Sequence, residues 1–140
     1  MKPLDACLTV GSALSLLLLV SASPIQAQAP SLASGDQASQ TAVVRDVKVQ
    51  DNMLSGVVVN KSPRLLRDVK VIIRHVWLWK NERHPGDDNP GRAEYFTVPG
   101  EVPPGGSLPF RYHLDRPLPE RTDGRFATSG EVISFTEVGQ

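Results

Sequence analysis

The 140-residue sequence has little cysteine: Cys7 is the only one, and it lies near the start of the chain. Everything after it is free of thiols, so disulfides, thiolate zinc sites and cysteine nucleophiles are excluded there. There is no excess of charge of either sign. Lys+Arg and Asp+Glu both number 15, and the isoelectric point is near 6.8. Phosphate contacts supply much of the affinity for nucleic acids, and the basic surplus they need is missing. The three histidines, His75, His84 and His113, show neither HxH nor HExxH spacing, so no metal site is read from them. No G-x-S-x-G elbow occurs, which removes the usual serine hydrolase pattern. Glu94, Glu101, Glu120 and Glu131 are scattered, and none forms the facing pair that glycosidases need. Asp87, Asp88, Asn89 and Glu94 offer oxygen ligands, yet Pro90-Gly91 interrupts them and calcium-loop spacing is absent. A solvated turn is expected there. No catalytic, cofactor-binding or metal-binding residue is assigned, and the chain is expected not to be an enzyme.

What is present begins with an export signal. Lys2 supplies a short basic region, and an apolar stretch runs from Leu8 to Val20. That stretch is short of the roughly 20 residues a bilayer crossing requires. Pro24 and small residues follow, which together mark a signal peptide over residues 1–27, cut after Ala27. Cutting after Ala29 would place Pro30 at the scissile bond. Leu4-Asp5-Ala6-Cys7 has a lipobox-like look but precedes the apolar run, so lipidation is rejected. The product is expected in the periplasm or outside the cell, with no membrane association after cleavage. Removal of the leader leaves Met53 as the only methionine, too few for a methionine-rich copper carrier. Residues 28–42, QAPSLASGDQASQTA, are small and polar without an apolar period. They are expected to form a disordered tether.

Residues 43–138 make the domain. Val43, Val47 and Val49 alternate with polar neighbours, the period of a half-buried strand. Further strands are expected over Met53–Asn60, Asp68–Lys80, Arg92–Val98, Ser107–Leu114 and Arg125–Val138, with a bulge at Ser129-Gly130. Asp51-Asn52, Pro63 and Pro103-Pro104-Gly105-Gly106 punctuate them, and Asn81–Gly91 is a long polar loop. Arg64 to Trp79 has some helical spacing, but its β-branched content favours a strand. An antiparallel all-β sandwich follows.

Gly56-Val57-Val58-Val59-Asn60, then Asp68-Val69-Lys70-Val71, then Pro104-Gly105-Gly106-Ser107-Leu108-Pro109-Phe110 stand in an order that resembles FxLYD-type immunoglobulin-like domains of exported bacterial proteins. The name-giving motif is not present verbatim; Val76-Trp77-Leu78-Trp79-Lys80 stands near its place. The resemblance implies a single immunoglobulin-like sandwich of six to seven strands, used as an interaction or spacer module. Independently of it, Gly56 leaves room for a facing bulky side chain, Asn60 can bond nearby backbone, and Gly105 permits the turn before Phe110.

Two candidate surfaces emerge. Leu54, Gly56, Val58 and Asn60 inward on one strand, and Val69, Val71, Ile73 and Trp77 inward on the next, leave Val57, Val59, Ile72, Val76 and Leu78 outward. So many outward apolar residues on neighbouring strands would mark a face for a protein partner or self-association, unless the 81–91 loop covers them. The alternative is a carbohydrate- or small-ligand platform formed by Trp79, His84 and Tyr95 around that loop. Trp77 is expected to be a core residue.

Overall fold

The computed structural model describes residues 35–139; the expected signal peptide and residues 28–34 of the expected tether lie outside them. Six strands follow one short helix: α1 (Gly35–Thr41), β1 (Ala42–Gln50), β2 (Met53–Asn60), β3 (Leu65–Trp79), β4 (Arg92–Thr97), β5 (Ser107–His113) and β6 (Gly124–Val138). They form two antiparallel three-stranded sheets, β1-β2-β5 and β4-β3-β6. The first sheet has the order of immunoglobulin strands A, B and E, and the second that of C′, C and F.

The alternation read from the sequence places the core. Leu54, Val58 and Phe110 of the first sheet meet Val69, Val71, Ile73, Val132 and Phe135 of the second, and all are buried. Burying each such side chain contributes about 1.5–3 kcal/mol. Gly56 faces Phe110 closely enough that a Cβ there would lie 2.6 Å from Cζ of the ring. Asn60 is buried at the end of β2, its amide nitrogen 2.7 Å from the Arg64 carbonyl and 3.0 Å from that of Pro103. Its Oδ1 accepts from the Ser62 N–H at 2.9 Å. One side chain thereby holds the crossover from the first sheet to the second and the approach to β5. At the turn before β5, Gly105 has φ 64° and the Gly106 N–H bonds the Pro103 carbonyl at 2.9 Å.

Three expectations change. The expected tether is ordered from residue 35: α1 occupies Gly35–Thr41, and Ala42 already belongs to β1. Ala38 and Ala42 are fully buried, and α1 packs against β6. Alanine is small enough to let a helix sit close, and the single buried Ala38 leaves no apolar stripe to read. Second, β3 begins at Leu65 and is bulged at Asp68, which has φ 52°. Third, Ser129-Gly130 is no bulge, since both residues pair in continuous register with Arg74 and Ile73. Gly130 is there because β1 comes close: an added Cβ would lie 2.8 Å from Val44 Cγ1.

Candidate functional site

The five residues expected to share one face are divided by the topology. Val57 and Val59 lie on β2 and project from the first sheet; Ile72, Val76 and Leu78 lie on β3 and project from the second. The outer faces of a sandwich point in opposite directions, so no single face contains all five. The sequence reading assumed that β2 and β3 are neighbours, whereas residues 61–64 carry the chain between sheets.

The second sheet retains a smaller face. Tyr95 stands opposite Ile72 on the neighbouring strand, so the two share the outer surface. Tyr95 is 66% exposed and Val76 48%. Leu78 is half-buried, while Ile72 is only 5% exposed despite pointing outward. It lies in the middle of the sheet, between Tyr95 and Glu131 on either side. Arg74 donates to Glu131 at 2.7 Å on this same surface and borders the apolar residues with a solvated ion pair.

The expected ligand platform does not assemble. Trp79 shares the inner face with Trp77, their ring centroids 6.1 Å apart at 87°, whereas Tyr95 is on the outer face. His84 is exposed in the 81–91 loop. Trp77 is buried, as expected, but outside the cluster between the sheets. It packs edge-on against Phe126, centroids 4.7 Å apart. Gly124 makes this approach possible, because a Cβ there would come within 2.6 Å of the Trp77 ring.

Arg121 closes this end of the sheet, and the sequence alone did not point to it. Its guanidinium lies 5.5 Å from the Trp77 ring centroid and 5.4 Å from that of Trp79. It also bonds Asp123 through two nitrogens and Asp88 at 2.9 Å. Hydrogen bonding to Asp123 and Asp88 raises the Arg121 pKa further, and the same contact lowers that of Asp123. Asp88 is thus held by a cation, and the long loop folds toward Trp79, where Gly86 meets the ring. The loop does not cover Val76.

A second polar group lies on the inner face. His75 is buried, with Nδ1 2.9 Å from Thr128 Oγ1 and Nε2 3.9 Å from Glu94 Oε1. Nε2 has no hydrogen-bond partner among the described residues. Arg92 donates to Glu94 at 2.8 Å, to the Pro117 carbonyl at 3.1 Å and to the Arg116 carbonyl. Burial lowers the His75 pKa, and Arg92 adds to the effect while Glu94 opposes it. Tyr112 is pushed up, first by burial and then by Asp115 and Glu94. The alternation Arg92, Glu94, Phe96 was visible as one face of a strand, but only strand pairing brings His75 opposite Arg92. The group ties β4 to β3, β6 and the 115–117 segment.

Comparison with known proteins finds no matching family model, no similar curated protein and no similar solved structure.

Proposed function

We propose that this chain is an exported, non-enzymatic β-sandwich that acts by binding another protein through the outer face of the β4-β3-β6 sheet. The observation that carries this is the exposure of Tyr95 and Val76 on one surface, with Leu78 and the Arg74–Glu131 pair beside them. A large aromatic with a polar tip, set among aliphatic groups and rimmed by charge, is the make-up of an interface centre. The 1–27 leader and the FxLYD-like motifs point the same way from the sequence. A sugar platform has weaker support, since Trp79 already has Arg121 against its ring and does not share a face with Tyr95.

The test uses a partner recovered by affinity capture from a periplasmic extract, then titrated calorimetrically against purified variants. Val76→Lys with Leu78→Lys should abolish binding while the melting temperature stays close to wild type. Val57→Lys with Val59→Lys, on the opposite side of the sandwich, should leave binding intact. Equal binding by all three proteins refutes the assignment of the face. Mass spectrometry of the exported protein should find Gln28 as the first residue; a full-length product retained in the membrane refutes cleavage of the leader.

A further inference from the structure

Exposed strand edges invite pairing with other chains, and folded proteins blunt them with bulges, prolines or covering elements. Here the four outer strands differ in this respect. β1 is bulged between Arg45 and Lys48, with Asp46 at φ 54°. β5 carries Pro109. The Asn60 N–H donates to the Gly106 carbonyl, so the even-numbered β5 residues point their backbone groups at β2 and Pro109 occupies the free edge. β6 has a register shift near Ile133 and is packed by α1 and β1. Among the described residues β4 has neither a bulge nor a proline, and what guards it is the inward Arg92–Glu94 pair with the 115–117 segment that Arg92 holds. The six residues of β4, RAEYFT, pair with β3 without a break.

The phase of that edge is set by a single bond. The Val98 N–H donates to the Val69 carbonyl at 2.8 Å. In an antiparallel ladder, successive residues turn their backbone groups to alternate sides. Glu94 and Phe96 therefore bond β3, while Ala93, Tyr95 and Thr97 direct N–H and C=O away from the sheet. All three are exposed. A cavity of about 290 Å³ runs along the edge at Ala93 and Tyr95, with Tyr112, Asp115 and Arg116 on its other side.

We infer that β4 is a self-association edge, which a second copy of this chain joins by antiparallel β4–β4 pairing across a two-fold axis at Tyr95. The occupant follows from self-complementarity. Directly opposite residues in an antiparallel pair share a face, so the axis must pass through a residue. An axis at Glu94 sets two carboxylates against each other and leaves Thr97 unused. An axis at Tyr95 opposes Tyr95 to Tyr95 and Ala93 to Thr97, and uses the free groups of all three residues. Each of these pairs exchanges two hydrogen bonds, and the aromatic cross-strand pair adds to them. The product is one continuous six-stranded sheet made from two three-stranded ones. An interface of a single short strand is at the small end of specific contacts, so the dimer is expected in the micromolar to millimolar range. The pairing shares Tyr95 with the proposed partner face but leaves Val76 and Leu78 of β3 uncovered, so the β3 variants test that face and the β4 variants test this edge.

Sedimentation velocity over a concentration series on the protein recovered from an exporting host tests it. Ala93→Lys with Thr97→Lys sets like charges opposite one another twice across the axis and should weaken the dimer by roughly tenfold or more. Ala93→Lys with Thr97→Glu sets opposite charges at the same two places and should dimerise at least as well as wild type. Thr97→Pro removes an edge N–H without touching the bonds to β3, and should also weaken the dimer; melting curves check that each variant is folded. Wild type that remains monomeric to millimolar concentration overturns the inference. So does a dimer indifferent to the like-charge variant, or one weakened equally by both charge variants, since either result excludes this register.

Discussion

Replacing Gly56 by alanine probes the closest packing between the backbone of one strand and the core. The new Cβ would lie 2.6 Å from Cζ and 3.0 Å from Cε1 of Phe110, with the Arg45 carbonyl oxygen 3.3 Å away. Real carbon–carbon contacts begin near 3.5 Å, so something must move by close to an ångström. Phe110 cannot swing freely, because it is buried and its ring centroid is 5.4 Å from that of Phe96. Phe96 in turn stacks on Tyr112 at 4.6 Å. Overpacking of this kind costs about 1–3 kcal/mol. Removing glycine's backbone freedom from a strand returns roughly 0.5–1 kcal/mol. The net centres on about 1 kcal/mol of destabilisation, or roughly 4–8 °C in melting temperature for a domain near 100 residues. Urea and thermal denaturation followed by circular dichroism would read it. The decisive arm is the double-mutant cycle with Phe110→Leu, which removes the obstructing ring atoms. In that background Gly56→Ala should cost less than about 0.5 kcal/mol. A neutral Gly56→Ala, or two changes that add within about 0.3–0.5 kcal/mol, would refute steric conflict as the reason for glycine.

Three further outcomes are expected. Burial depresses the His75 pKa below its ordinary 6.5, so the unfolded chain binds a proton more readily than the folded one. The stability it protects is complete above pH 6.5 and is lost as pH falls from there through the lowered value; urea midpoints across that window should lose this slope in His75→Gln, and an unchanged slope rejects the assignment. Trp77→Ala should cost about 3–5 kcal/mol and Trp79→Ala clearly less, because Trp79 is partly exposed; equal losses would mean that both rings are core. Excess EDTA should leave the melting temperature unchanged, since the Arg121 guanidinium already pairs with the Asp88 carboxylate; a drop of several degrees would revive calcium in the 81–91 loop.

Fold class and strand positions were legible in the sequence because alternation is a local property. Val69, Val71 and Ile73 point inward wherever the strand lies, and Gly56 and Asn60 announced a close approach and a backbone-bonding strand end by residue type alone. Helix α1 was not legible, since Ala38, its one buried residue, becomes part of the core only by docking of the helix on β6. Which outward residues belong together was decided entirely by tertiary structure. Parity sorts side chains to the two faces of one strand, but it does not say which strands share a sheet. Placing β2 and β3 in different sheets separates Val57 and Val59 from Val76 and Leu78, and pairing β4 with β3 brings Tyr95 beside Ile72 instead. The same pairing sets Arg92 opposite His75 and turns Ala93, Tyr95 and Thr97 to the open edge. Long-range register is a cooperative property of the whole core, and no short stretch of chain encodes it.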